Sequence, residues 1–113
     1  MKISWWQWWP LWSWRAVGMV ESADEIPARL PSRGAVLVGT PGRLKWISFD
    51  CPCRMKHRVL LNTDRARRPF WAVEISAEGR LSISPSIDQL NGRRRCHYFV
   101  RNGKTIWAKD VRL

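Results

Sequence analysis

Apolar side chains recur along this chain in short runs, each closed by Gly, Pro, Asn or Asp, at intervals too short for helices. The pattern predicts strands over about residues 35–38, 44–49, 58–61, 70–75, 80–84, 97–101 and 104–108. An antiparallel sheet is the natural product of such spacing. The clearest local signal is Arg101-Asn102-Gly103-Lys104, because Asn-Gly supplies the two positive φ angles that a two-residue type I′ hairpin needs. That loop sets Phe99 opposite Ile106 and Tyr98 opposite Trp107, with His97 on the side of Phe99. Large apolar groups on both sides predict a central hairpin rather than an edge one. Residues 21–31, with Pro27 and Pro31 bracketing Leu30, read as a turn or short helix leading into the fold.

At 113 residues the chain suffices for one core and not for two. The expected fold class is mainly β, a small antiparallel sheet or partly open barrel. The division is a Trp-rich extension over residues 1–20 and a single β-rich domain over residues 21–113. Six of the nine tryptophans fall within residues 1–14. Such a segment serves either as an interfacial anchor or as an extension packed back on the domain, and the second reading is preferred. Gln7, Pro10 and Ser13 interrupt its apolar run, which is far shorter than the roughly 20 residues that span a bilayer, so no transmembrane segment is expected. Trp46, Trp71 and Trp107, each flanked by apolar residues, read as core.

A net charge of +11 favours an acidic partner: nucleic acid, anionic lipid or an acidic protein surface. Arg65-Ala66-Arg67-Arg68 and Arg93-Arg94-Arg95 concentrate that charge in predicted loops. Arg67, Arg68, Arg93, Arg94 and Arg95 are therefore the candidate partner-binding residues. Three cysteines, two of them separated only by Pro52, do not make a paired disulfide framework. Free or metal-bound thiols in a reducing compartment, the cytoplasm, fit better.

Cys51-Pro52-Cys53 stands where the second predicted strand turns back, and two close sulfurs can chelate zinc if other ligands arrive from elsewhere. His57, Cys96 and His97 are the remaining donors, giving one more than the four a structural zinc needs. With His57 as ligand, alongside Cys51, Cys53 and Cys96, His97 stays available for proton transfer. With His97 as ligand, no histidine remains for catalysis. The second constellation is Leu81-Ser82-Ile83-Ser84-Pro85-Ser86-Ile87, in which Pro85 is expected to end regular pairing and turn the chain. A serine on a stiff turn beside a histidine is the minimum for a nucleophile and its base. Asp88, Asp50 and Asp64 are the carboxylates that could orient the imidazole. No Gly-rich phosphate loop or HExxH motif is present.

Read in order, Lys45-Trp46-Ile47-Ser48-Phe49-Asp50-Cys51-Pro52-Cys53, Leu60-Leu61-Asn62, Arg68-Pro69-Phe70-Trp71, the Ser84-Pro85-Ser86-Ile87 block and His97-Tyr98-Phe99-Val100-Arg101-Asn102-Gly103-Lys104 resemble a family of small bacterial proteins. Its members accompany ubiquitin-like proteins and their activating and conjugating enzymes. The resemblance covers roughly residues 26–108 and implies a serine-type peptidase that trims or removes the ubiquitin-like protein, built on a cysteine-rich metal site. It matches Cys51 and Cys53 to metal cysteines, His97 to the histidine heading the HYFV strand, and Ser86 or Ser84 to the serine of SPSI. The expected catalytic group is then Ser86, His97 and Asp88, with Ser84 as alternative nucleophile, on a domain holding structural zinc. The other class consistent with these residues is a zinc-stabilised nucleic-acid-binding module without catalysis.

Overall fold

The computed structural model describes residues 12–53, 57–91 and 94–108, with Asn91 and Arg94 described by backbone alone. Two four-stranded sheets make up the fold. The first runs in the order β1 (Arg15–Val20), β2 (Gly34–Thr40), β3 (Arg43–Asp50), β4 (Arg58–Asn62). The second runs β5 (Ala72–Ile75), β6 (Leu81–Asn91), β7 (Arg94–Arg101), β8 (Lys104–Trp107). All pairings are antiparallel except that of β1 with β2. The mainly β class expected from the sequence therefore holds, as two sheets and not as a closed barrel. Among the described residues, the one helical element is a single 3-10 turn at Ala23–Glu25, and no helix is long and apolar enough to cross a membrane.

Alternation explains the core. Ala35, Leu37, Ile47, Phe49, Val59 and Leu61 are register partners on one face of the first sheet, and they pack against Leu81, Ile83, Ile87, Cys96, Tyr98 and Val100 of the second. The first sheet is covered on its other face too, where Val17 and Val36 meet Val20, Ile26 and Leu30. That double coverage is why β2 is apolar at nearly every position and not at alternate ones. At its far end Gly39 adopts φ +134°, and a Cβ there would lie 2.4 Å from the Arg43 carbonyl oxygen, so only glycine fits.

Trp14 ties the sheets together. Its backbone N–H donates to Gly103 O at 2.9 Å and its carbonyl accepts from Leu81 N at 3.0 Å, both in the second sheet, while the next residue opens β1 in the first. Its indole N–H donates to Thr105 Oγ1 at 2.7 Å, and its ring meets Phe49 edge-on at 5.1 Å. Trp14 is 1% exposed, the largest of the fully buried side chains.

Three expectations are corrected. Pro85 does not end β6; the strand continues to Asn91 past a register shift between Ile83 and Ile87, where it carries two more residues than β7. The Asn102-Gly103 hairpin has the expected register and φ angles of 48° and 79°, but β8 is an edge strand, and Ile106 and Trp107, on its two faces, are both exposed. Trp46 is only partly buried and Trp107 is exposed, whereas Trp71 is partly buried and packs against the core; among the described residues the fully buried tryptophan is Trp14 of the Trp-rich segment, and β1 follows it directly. Residues 1–11 of that segment lie outside the described residues.

Trp14→Ala removes the ring and the indole bond that fill the space between the sheets, so it is expected to cost about 3–5 kcal/mol of unfolding free energy. Chemical denaturation followed by tryptophan fluorescence and circular dichroism measures it.

Candidate functional site

β7 presents two chemistries on opposite faces. Buried Cys96 and Tyr98 face the core, while Arg95, His97, Phe99 and Arg101 alternate on the outer face. Cys96 and His97, adjacent in sequence, are thereby sent into different environments.

On the outer side, the widened segment of β6 brings Ser86 Oγ to 2.9 Å from His97 Nε2. Ser86 is half-buried, and its carbonyl accepts a 3.1 Å hydrogen bond from the Trp71 indole N–H. The Trp71 backbone N–H in turn donates to Asn62 O at 2.8 Å, at the end of β4. Trp71, read from the sequence as core, thus holds the backbone that carries Ser86. Its place in the Arg68-Pro69-Phe70-Trp71 block was the available signal, since a tryptophan that is not fully buried can still spend its N–H on a specific acceptor. Ser84, two residues earlier, is exposed and its side chain makes no hydrogen bond among the described residues.

Asp88 stands opposite His97 in the β6–β7 ladder. Its carboxylate accepts from Arg95 Nε at 2.8 Å and from Arg95 Nη2 at 2.6 Å. This hydrogen-bonded guanidinium holds the Asp88 carboxyl below its ordinary range, with His97 adding to the lowering. The other two candidate carboxylates are engaged elsewhere: Asp50 pairs with Arg58 at 2.8 Å, and Asp64 accepts from the Ala66 N–H at 3.0 Å. Arg95 is therefore bound to Asp88. Arg67 and Arg68 are exposed on the β4–β5 loop, Arg68 with its guanidinium 5.9 Å from the Phe70 ring. Arg93 and the Arg94 side chain lie outside the described residues.

On the inner side, Cys51, Cys53, His57 and Cys96 bring one ligand atom each to within 4.8 Å of one another. Three of the donors come from the connection between β3 and β4, closed by a 2.8 Å bond from Cys51 N to His57 O, and the fourth comes from β7. All three cysteines are buried, and none is in a disulfide. Burial pushes the Cys51 thiol up to about 12, although contacts with the Cys53 backbone and the Tyr98 hydroxyl pull the other way. The Tyr98 hydroxyl is itself pushed up by burial and by the neighbouring thiols. His57 Nε2 is buried with no hydrogen-bond partner among the described residues. An unpartnered buried ring nitrogen on a residue clustered with three thiols is costly without a ligand. Tetrahedral coordination at about 2.3 Å sets sulfurs about 3.8 Å apart, inside the 4.8 Å that encloses these donors. These four residues can hold a metal ion.

The molecule is thus a two-sheet β protein with a hydrogen-bonded serine–histidine pair on one face and a sulfur-rich donor cluster between its sheets. Residues 22–108 match the family described as bacterial ubiquitination-like system serine protease (BubE), and the chain belongs to that family. No curated protein and no solved structure matches it.

Separation of the two histidines has a direct consequence for metal content. His57→Ala and Cys96→Ser are expected to lose bound metal, while His97→Ala keeps about one ion per chain. Elemental analysis of the purified variants, each checked for folding, measures this; loss in His97→Ala would contradict the separation.

Proposed function

We propose that this chain is a serine-type peptidase that processes or deconjugates a bacterial ubiquitin-like protein, with Ser86 as nucleophile and His97 as general base. The observation that carries the reading is the 2.9 Å contact between Ser86 Oγ and His97 Nε2. Family membership supports it, since the family is described as a serine protease of a bacterial ubiquitination-like system. Ser86 is preferred to Ser84 because only Ser86 has the imidazole within hydrogen-bond reach.

In this mechanism Nε2 accepts the Ser86 proton as Oγ attacks the carbonyl carbon of the scissile amide. The tetrahedral intermediate collapses as the imidazolium returns that proton to the leaving amine nitrogen, which leaves an acyl ester on Ser86. Water then attacks the ester, giving its proton to Nε2, and the carboxylic product departs with Ser86 re-protonated. Asp88, kept anionic by Arg95, stands opposite His97 in the ladder as the nearby carboxylate of this mechanism. Trp71 limits the movement of the Ser86 backbone through its indole hydrogen bond.

The metal best suited to three thiolates and an imidazole is zinc. Cys51, Cys53, His57 and Cys96 would hold it in a closed four-ligand site, whose contribution is a cross-link between the β3–β4 connection and β7. That cross-link lies behind the strand that carries His97. Three cysteines without a disulfide suit a reducing compartment, and cytoplasmic action is part of this proposal. The exposed Arg67 and Arg68 are offered as contacts for an acidic patch on the ubiquitin-like partner.

Ser86→Ala is expected to lower cleavage of a conjugate of the ubiquitin-like protein by at least about a thousandfold without changing the unfolding midpoint. His97→Ala should lose a comparable factor. Unchanged cleavage in Ser86→Ala would overturn the serine mechanism. Salt-sensitive binding of nucleic acid with no cleavage by the wild type would favour a binding module instead.

A further inference from the structure

The first sheet carries a cavity of about 340 Å³, lined by Arg43, Lys45, Trp46, Asn62, Asp64 and Arg67. Trp46 and Asn62 are register partners in the β3–β4 ladder and so share one face of the sheet. Lys45 is the extra residue of a bulge, because Val38 pairs with Trp46 and Gly39 with Leu44. Bulges re-aim side chains, and this one delivers a lysine to a wall that regular alternation would deny it. Arg67 arrives from the β4–β5 loop, which Asn62 Nδ2 holds by donating to the carbonyls of Asp64, Arg67 and Pro69 at 3.2, 3.1 and 2.9 Å.

Three cations and one carboxylate line this space. The carboxylate is turned to its own loop, with Asp64 Oδ1 accepting from Ala66 N at 3.0 Å. Among the described residues, no carboxylate forms an ion pair with Arg43, Lys45 or Arg67. Three cations against one carboxylate leave the lining net positive, and such a wall favours an entering anion. The loop that forms the cavity also reaches the nucleophile: it begins at Asn62 and ends at Trp71, whose N–H bonds Asn62 O and whose indole bonds Ser86 O.

We propose that this cavity is a subsite for the carboxylates of an acidic segment of the protein substrate. The proposal rests on the peptidase reading and deepens it, because the loop that supplies Arg67 to the cavity also supplies Trp71, which holds the Ser86 carbonyl. A compact cavity with three cations in its wall suits a few acidic side chains; a nucleic-acid backbone requires a longer series of phosphate contacts. Arg43 and Lys45, outside both arginine clusters of the sequence, thereby become specificity residues.

The test uses a fluorescein-labelled glutamate-rich peptide and the full chain carrying Ser86→Ala, with affinity read by fluorescence anisotropy. Adding Arg43→Glu, Lys45→Glu and Arg67→Glu is expected to weaken binding by at least about tenfold, as removal of several charge-assisted contacts should. The single changes Arg43→Gln, Lys45→Gln and Arg67→Gln should each weaken it by less, so the result does not depend on the triple variant folding. Control reversals outside the cavity, Arg29→Glu and Lys104→Glu, should have little effect. Equal losses in cavity and control variants, or peptide affinity unchanged by the cavity variants, would overturn the subsite. Tighter binding of a single-stranded DNA of equal charge, lost in the same variants, would overturn it in favour of nucleic acid. Fluorophosphonate labelling of the wild-type chain is read in parallel. Its absence counts against the serine reading alone, and the peptide affinities then judge the cavity independently.

Discussion

Neighbouring residues of a β-strand face opposite sides of their sheet, and the placement of Cys96 and His97 on β7 turns on that constraint. The inward position puts a sulfur beside Cys51, Cys53 and His57, and the outward position puts an imidazole against Ser86. Neither chemistry can borrow the other's residue without a one-residue slip, which would send the Cys96, Tyr98 and Val100 face into solvent. The core thus keeps His97 on the outer face, apart from the cluster that holds His57. The same alternation lines up Arg95 and Asp88 with His97, so the pair's electrostatic surroundings are set by register.

What the strand cannot do by itself is bring Ser86 within reach. Two additional residues on β6 widen the ladder between Ile83 and Ile87, and the departing backbone is held from the side by the Trp71 indole. Trp71 is in turn hydrogen-bonded to the end of β4 in the other sheet. Trp14 makes the converse link, bonding the second sheet through its backbone before the chain enters the first. Together with the donor cluster, these contacts join the sheets at separate places, so the Ser86–His97 geometry depends on the whole sandwich and not on one hairpin.

Much of this was legible residue by residue. Short apolar runs named seven of the strands, and Asn102-Gly103 determined the register of β7 against β8, because both signals depend on local φ/ψ preference and on a period of two. Cysteines and histidines named the residues that could hold a metal, because few side chains have that chemistry. β1 was not legible: Arg15–Val20 follows a run of tryptophans whose composition hides the alternation, and its partner β2 is parallel, reached through a connection that no turn motif announces. The continuation of β6 past Pro85 escaped for another reason, since a proline forbids a ladder hydrogen bond only at its own nitrogen and a register shift absorbs that gap.

By itself the sequence determined the elements, one hairpin register and the inventory of reactive groups, all of which follow from the local chemistry of the chain. Tertiary structure decided which histidine meets which partner, which carboxylate faces His97, and which tryptophan fills the core. It also gathered Arg43, Lys45 and Arg67 around one cavity, joining a bulged strand to a loop beyond the next strand. These outcomes depend on sheet order, bulges and the packing of one sheet on the other. Such long-range relations have no fixed spacing along the chain, so no local pattern encodes them.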